Sequence, residues 1–201
     1  MKYHNIELNN IENGPGIRTV LWVSGCYHNC KNCHNPITHD PEDGVEFEEK
    51  DMKELLDSLE PEHVQGITIS GGDGLCFYAV EVLEIIKEVN RRYGEKKNIW
   101  LYTGFTLDKL LEIILHIKNE EVWETYNEII RNIDVLCDGP FVESLADIEY
   151  HWVGSLNQRV LDIQKTFADS KVTFVEPDQE KLCVTPSEPT NKLLAEYDSK
   201  F

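Results

Sequence analysis

The chain is organised around one stretch of sequence, Trp22-Val23-Ser24-Gly25-Cys26-Tyr27-His28-Asn29-Cys30-Lys31-Asn32-Cys33-His34-Asn35-Pro36. Its three cysteines are spaced C-x3-C-x2-C in one loop that directly follows an apolar run. Three thiolates can hold three corners of a metal centre, and no fourth cysteine follows at similar spacing. Structural zinc sites are closed by four protein ligands, and ordinary electron-transfer iron–sulfur clusters take four cysteines. The spacing therefore predicts a metal centre with one coordination position open to a substrate.

A zinc site is the alternative interpretation of this loop. One of the nearby histidines His28, His34 and His39, or a distant thiol, would complete its four ligands. Disulfides are not expected, because the first residues, Met1-Lys2-Tyr3-His4-Asn5, lack the apolar core of a secretory signal peptide. We therefore expect the protein to reside in a reducing cytoplasm.

Length and composition indicate an ordinary soluble domain. The 201 residues are enough to bury a core without disulfides, and no apolar run approaches the ~20 residues that span a bilayer. With 19 basic and 37 acidic residues the net charge is -18, which repels phosphate backbones. The composition therefore predicts neither a nucleic acid nor a membrane as a partner.

Strands and helices alternate along the chain. Near-continuous apolar runs predict strands at Ile17–Val23, Gln65–Ser70, Asn98–Tyr102 and Ile133–Cys137. Apolar residues at helical spacing predict helices at Phe47–Leu59, Ala79–Arg92, Thr106–Ile117 and Glu120–Asn132. Such alternation with short turns implies parallel strands joined by right-handed crossovers, which is an α/β fold. Cys26 follows the carboxyl end of the first predicted strand, where α/β folds build their sites.

The C-terminal part of the chain has a weaker pattern. Short strands are candidates at Arg159–Ile163 and Val172–Val175. Beyond them, three prolines stand among charged and polar residues. We expect residues 164–201 to form a loosely ordered polar tail.

The cysteine loop, placed after an early strand, resembles that of the radical S-adenosylmethionine superfamily. Within this superfamily the chain is similar to the small activating proteins of anaerobic ribonucleoside-triphosphate reductases. The motifs that carry the resemblance run in the family's order over roughly residues 3–163, and they are Asn13-Gly14-Pro15-Gly16-Ile17-Arg18, Gly71-Gly72-Asp73, Tyr102-Thr103-Gly104, Asp138-Gly139 and Gly154-Ser155-Leu156-Asn157-Gln158-Arg159. The resemblance implies that residues 1–163 form a single domain, an incomplete β/α barrel of parallel strands with the cluster loop after the first strand.

The resemblance also implies a reaction. Cys26, Cys30 and Cys33 would ligate three irons of one 4Fe-4S cluster, and S-adenosyl-L-methionine would chelate the fourth iron. Reductive cleavage would give methionine and a 5′-deoxyadenosyl radical, which takes a hydrogen atom from a glycine in the large subunit of the reductase. The protein would be an oxidoreductase that takes its electron from a flavodoxin-type donor. Activation of another glycyl-radical enzyme such as pyruvate formate-lyase is a near alternative, and a non-catalytic zinc-binding adaptor is an alternative of a different class.

Two further segments are candidates for binding S-adenosylmethionine. Gly71 and Gly72 at the end of a buried strand let the backbone come close to a ligand, and Asp73 can accept a hydrogen bond from the methionine ammonium group. A tight turn with Asp73 near a helix N-terminus is the alternative for this triplet. Asn32, Cys33 and His34 would line the adenine end, as the resemblance implies. The chain departs from the superfamily at Asn32, where an aromatic residue is usual, and from the family at Gly74, where proline is usual.

The sequence leaves the roles of three other residues open and gives two further cysteines one role each. Arg18 and Arg159 would either bind the cofactor carboxylate or the partner's backbone, or form ordinary salt bridges, and Asp138 is similarly undecided. Cys137 is predicted to be a core thiol. Cys76 lies close to the Gly71-Gly72-Asp73 turn and is a candidate metal ligand.

Overall fold

A computed structural model describes residues 1–200 and shows two compact units, the first formed by Met1–Tyr102 and the second beginning at Thr103. The first unit contains five strands, β1 (Lys2–Asn10), β2 (Ile17–Val23), β3 (Val45–Glu46), β4 (Val64–Gly71) and β5 (Asn98–Tyr102). Its helices are α1 (Glu49–Ser58), α2 (Gly74–Phe77) and α3 (Ala79–Tyr93). The strands lie in the order β3-β1-β2-β4-β5.

The centre of the first unit is parallel. Strand β4 pairs with β2 on one side and with β5 on the other, both in parallel, whereas β1 runs antiparallel to β2. The three parallel strands carry apolar side chains that are fully buried, such as Leu21, Ile69 and Leu101, because parallel strands are covered on both faces. Val23 pairs with Gly71 at the carboxyl ends of β2 and β4, so the segments that follow these two strands begin side by side.

The helices of the first unit follow from local sequence signals. A capping box, in which Glu48 and Asp51 satisfy each other's backbone, begins α1. Val82, Ile86 and Val89 recur at helical spacing on α3 and are fully buried. Gly94, in the left-handed region with φ +54°, ends α3.

The second unit contains two strands and five helices. They are α4 (Leu107–His116), α5 (Glu120–Asn132), β6 (Val135–Asp138), β7 (Arg159–Asp162), α6 (Ile163–Ala168), α7 (Pro177–Leu182) and α8 (Glu188–Lys200). Strand β7 pairs antiparallel with β6, and α8 packs against α4. Leu110 and Leu111 of α4 and Leu194 and Tyr197 of α8 are fully buried.

The structure confirms the α/β class and the four predicted strands and four predicted helices, and the cysteine loop follows the first predicted strand. In the structure this strand is β2, since it is preceded by β1, which the sequence did not predict. The segment Val172–Val175 forms only an isolated bridge between Phe174 and Leu161, so the strand predicted there is wrong. Residues 164–201 contain α7 and α8 and most of α6, although their prolines suggested little regular structure. Within residues 1–200 none of the helices combines the length and the apolar composition needed to cross a bilayer.

Candidate metal centre

The cysteine loop leaves the carboxyl end of β2 and is closed at its base by backbone hydrogen bonds. The Gly25 N–H donates to the Thr38 carbonyl at 2.8 Å, and the Cys26 N–H donates to the His39 carbonyl at 2.9 Å. A short 3-10 turn begins at Pro36, which lacks the N–H that a first helical position would leave unsatisfied. The three cysteines therefore lie in a loop whose two ends are fixed to each other.

Two of the three cysteines open onto one pocket. Cys30 and Cys33 line a cavity of about 530 Å³, and the Cys33 N–H donates to the Cys30 carbonyl at 3.2 Å. The Asn35 N–H donates to the Cys33 Sγ at 3.4 Å, a contact that stabilises a thiolate and tunes cluster sulfur ligands. None of the six cysteines within residues 1–200 forms a disulfide. The thiols are therefore available as ligands.

The backbone explains why Asn32 precedes the third cysteine. Asn32 has φ +56° and Asn29 has φ +48°, and asparagine tolerates this left-handed region better than an aromatic residue does. Asn32 contributes to the lining of the pocket, whereas His34 is exposed outside it. The structure thus brings Asn32 close to Cys30 and Cys33, and it places His34 at the rim of the loop.

The Gly71-Gly72-Asp73 turn is hydrogen-bonded to the backbone at the start of the cysteine loop. The Gly72 N–H donates to the Val23 carbonyl and the Asp73 N–H to the Gly25 carbonyl, both at 2.8 Å. A Cβ atom on Gly72 would lie 2.5 Å from the Gly25 oxygen and 2.8 Å from the Thr38 oxygen. The absence of a side chain at Gly72 is therefore required by the close approach of the cysteine loop's own backbone.

Asp73 is 1% exposed, and its carboxylate oxygens make different contacts. One carboxylate oxygen caps α2 by accepting from the Leu75 N–H at 3.0 Å, and the other lies 2.8 Å from His28 Nε2. The hydrogen bond to this carboxylate raises the pKa of His28 above its usual value. The turn geometry and the helix cap match the alternative that the sequence left open, and His28 is a partner that sequence reasoning assigned only to a zinc site.

Cys26 does not line the pocket of Cys30 and Cys33. Its thiol instead faces the thiol of Cys76 on α2. Its thiol shares a hydrogen bond with that of Cys76, which lowers the pKa of Cys26 to about 6 and raises the pKa of Cys76. Because metals bind thiolates, the lowered pKa favours Cys26 as a ligand. The three loop cysteines supply the thiolate chemistry of an iron–sulfur cluster with three protein ligands, but in this structure Cys26 is paired with Cys76 rather than lining the pocket of Cys30 and Cys33.

The two arginines of the family motifs are fully buried. Arg18 donates through Nε to Thr68 Oγ1 at 2.8 Å and through Nη2 to the Ile67 carbonyl at 2.7 Å, and its guanidinium lies over the Trp100 ring. A Cβ on Gly14 would lie 2.8 Å from Arg18 Cδ. The motif around Arg18 therefore folds onto its own arginine inside the first unit.

Arg159 forms an ion pair inside the second unit. Both Arg159 and Asp138 are 0% exposed, and Nε and Nη2 of the arginine donate to the carboxylate at 2.5 to 3.1 Å. Asp138 also accepts from the Leu107 N–H at 2.6 Å. Burial raises the pKa of Asp138, and the guanidinium acts in the opposite direction. Of the two roles left open by the sequence, the structure thus shows a salt bridge between Arg159 and Asp138. Cys137, which precedes Asp138, is buried as predicted.

Comparison with known proteins agrees with this arrangement. Residues 12–161 match the family described as 4Fe-4S single cluster domain. The anaerobic ribonucleoside-triphosphate reductase-activating protein of Enterobacteria phage T4 is 33% identical over 161 residues, which are 80% of this chain and 93% of that protein. The proteins of the same name from Escherichia coli strain K12 and Haemophilus influenzae are 36% and 35% identical, over 80% and 79% of this chain and 97% and 96% of theirs. The chain therefore belongs to the family of anaerobic ribonucleoside-triphosphate reductase-activating proteins.

Proposed function

We propose that this chain is an iron–sulfur oxidoreductase that activates an anaerobic ribonucleoside-triphosphate reductase. It would cleave S-adenosylmethionine reductively to a 5′-deoxyadenosyl radical, which abstracts a hydrogen atom from a glycine of the reductase large subunit and leaves a glycyl radical there. One observation carries the proposal. The C-x3-C-x2-C loop stands at the carboxyl end of a parallel strand in a chain that matches named activating proteins along about 80% of its length.

Cys26, Cys30 and Cys33 would hold the 4Fe-4S cluster through three thiolates. When bound and reduced, such a cluster supplies the single electron that breaks the C5′–S bond of S-adenosylmethionine. The loop's contribution is to leave the fourth coordination position without a protein ligand and to keep the three donors in place. The hydrogen bonds at its base, from Gly25 and Cys26, serve the second of these tasks.

Five other residues are proposed to orient S-adenosylmethionine. Gly71, Gly72 and Asp73 would face its methionine end, where the Asp73 carboxylate can accept from the ammonium group. Because one Asp73 oxygen is bonded to His28 Nε2, the ammonium would share or replace that bond. Asn32 and His34, on either side of Cys33, would lie toward the adenine.

The partners follow from the chemistry. A glycine of the reductase must reach the cluster loop, and a flavodoxin-type protein would supply the electron. A reduced cluster and cysteines that are not in disulfides would require a reducing compartment, which favours the cytoplasm. The net charge of -18 argues against nucleic acid as a partner.

The proposal is tested on protein purified without oxygen. Iron and sulfide are measured, and dithionite is added with S-adenosylmethionine while 5′-deoxyadenosine is quantified. We expect about four irons per chain and reductive cleavage, both lost in Cys30→Ala and both kept in the control Cys183→Ala. Bound zinc without iron, with no cleavage even after the zinc is removed by a chelator and iron and sulfide are supplied, would instead establish the zinc-binding adaptor.

A second measurement separates the reductase from other glycyl-radical enzymes. The active protein is incubated with the anaerobic reductase or with pyruvate formate-lyase, and the glycyl radical is followed by electron paramagnetic resonance. A radical on the reductase is expected. A radical that appears only on pyruvate formate-lyase would assign the chain to that enzyme.

A further inference from the structure

A second set of metal donors lies beside the cysteine loop. The donor atoms of His28, Asp73 and Cys76 lie within 4.8 Å of one another, and the Cys76 thiol shares a hydrogen bond with the Cys26 thiol. One imidazole, one carboxylate and one thiol therefore converge, and the Cys26 thiol lies next to this group as the hydrogen-bond partner of Cys76. Cluster ligation by the loop would use only Cys26. We propose that, in the chain without a cluster, Cys26, His28, Asp73 and Cys76 bind one Zn²⁺ ion.

The local backbone holds these donors in two pairs. Cys26 and His28 are two residues apart on the first part of the cysteine loop, where Cys26 is tied to His39 by its N–H. Asp73 and Cys76 belong to the first turn of α2, in which the Cys76 N–H donates to the Asp73 carbonyl at 2.9 Å. The Asp73 N–H donates to the Gly25 carbonyl and so joins the two pairs. Three of the four donors are thus already close to one another, and Cys26 adjoins them through its hydrogen bond with Cys76.

The distances are close to those of a tetrahedral zinc site. Zn–N, Zn–O and Zn–S bonds of about 2.0–2.3 Å place neighbouring donors about 3.3–3.8 Å apart. His28 Nε2 and Asp73 Oδ2 are 2.8 Å apart, so they would separate by about half an ångström to admit the ion. Cys76 Sγ lies within 4.8 Å of both atoms and would move inward. These changes would be made by side-chain rotation.

The chemistry of the donors selects a borderline-soft divalent ion. Two thiolates and a neutral imidazole favour Zn²⁺, whereas Mg²⁺ and Ca²⁺ prefer oxygen ligands. The bound ion would be surrounded by three anionic donors and one neutral donor, so each ligating thiol would lose its proton and His28 Nε2 would carry none. Asp73 is nearly inaccessible to solvent, so the ion would replace a buried proton between His28 and Asp73.

This site and the cluster would exclude each other, because both require Cys26. The zinc form would therefore be a chain that is folded at the loop but blocked for cluster assembly. Only this exclusion rests on the proposed function. The four-donor site itself stands or falls on metal binding by the chain without a cluster.

The test is a titration of the full chain, without cluster and with its thiols reduced, by Co²⁺ as a spectroscopic substitute for Zn²⁺. We expect one Co²⁺ per chain, with the strong visible bands of tetrahedral Co²⁺ and a thiolate charge-transfer band, both reversed by Zn²⁺. Cys76→Ser should weaken binding by at least about tenfold, since the loss of mere supporting contacts already weakens metal sites about 10–100-fold. Cys30→Ala and Cys33→Ala should bind as the parent chain does, and circular dichroism confirms that each variant is folded.

Two outcomes would overturn the site. Co²⁺ binding that survives Cys76→Ser but is lost in Cys30→Ala would place the ion on the three loop cysteines, and absence of stoichiometric binding by the parent chain would exclude the site altogether. The exclusion is measured separately, by iron uptake after loading with Zn²⁺. Uptake should be blocked in the parent chain and restored in Cys76→Ser. Equal uptake by both chains, combined with intact Co²⁺ binding, would overturn the exclusion and leave the site.

Discussion

Replacement of Arg159 by methionine is expected to destabilise the protein by about 3–5 kcal/mol, the usual cost of removing one partner from a buried ion pair. Arg159 and Asp138 are both 0% exposed, so neither regains water in the folded state. The variant leaves the Asp138 carboxylate buried, with the Leu107 N–H as a hydrogen-bond donor. It also removes the hydrogen bond that Arg159 Nη1 donates to Thr190 Oγ1 at 2.9 Å. Methionine fills much of the volume, so the cost is mainly that of the uncompensated charge.

The loss is large compared with a total stability of about 5–15 kcal/mol. Urea unfolding followed by circular dichroism measures it as a lower midpoint at an unchanged slope, and thermal unfolding should shift by about 6–20 °C for a chain of this size. The double variant Asp138→Leu with Arg159→Met removes both charges and should be clearly more stable than Arg159→Met alone. A double variant that is more stable than Arg159→Met would show that the loss of stability is electrostatic in origin.

An exposed ion pair in the same unit provides the matched control. Lys181 and Asp178 lie 2.6 Å apart with side chains 75% and 86% exposed, so Lys181→Met should leave the urea midpoint unchanged. If Arg159→Met shifts the midpoint no further than Lys181→Met, the buried pair does not stabilise the fold. If the double variant is as unstable as Arg159→Met, packing rather than charge accounts for the effect.

Three further predictions concern the first unit. Gly72→Ala places a Cβ 2.5 Å from the Gly25 oxygen and should lower both the melting temperature and the iron bound per chain. Gly94→Ala is the control, because its Cβ meets no atom within 4 Å, and it should leave the iron content unchanged. Asn32→Val is expected to strain the loop at φ +56° and reduce iron content, and Asn32→Gly should retain it; equal losses would mean that the Asn32 side chain itself is required. Burial and a hydrogen bond with Asp51 raise the pKa of Tyr3 from 10.0 to about 12, so the stability that its neutral phenol contributes is complete below pH 10 and is lost as the pH rises toward 12. Urea midpoints measured against pH should show a smaller alkaline decline in Tyr3→Phe, and an identical decline would contradict the raised pKa.

Much of the fold was predictable because its elements carry strong local patterns. The bounds predicted for the strands at Ile17–Val23 and Asn98–Tyr102 and for the helix at Glu120–Asn132 are those of the structure. Strand β1 was missed because its sequence, KYHNIELNN, is polar and only partly buried, and its extended form depends on pairing with β2. The helix α7 was missed because Pro177 suggested a break, yet proline is favoured in the first turn of a helix, where Pro177 lies.

In the candidate site, too, local features were predictable from the sequence and long-range contacts were not. The spacing of Cys26, Cys30 and Cys33 is local and could be interpreted directly from the sequence. The contacts of His28 with Asp73 and of Cys26 with Cys76 join residues that are 45 and 50 positions apart, and no periodicity reports such contacts. The role of Arg18 was equally undecided, because a motif marks a residue as characteristic of a family without stating whether it faces a ligand or the core.

The cysteine loop and the Gly71-Gly72-Asp73 turn combine a fixed backbone with side chains that can rotate. The backbone at the base is fixed by the hydrogen bonds from Gly72 to Val23 and from Asp73 to Gly25, which join the ends of two paired parallel strands. The side chains of Cys26, Cys30, Cys33 and Cys76 are half-buried, and each can rotate about χ1. A rigid frame keeps the donors close in the empty chain, so little ordering entropy opposes metal binding. Cys26 is the one donor that both metal arrangements share, and its choice between the thiols of the loop and that of Cys76 would decide which centre forms.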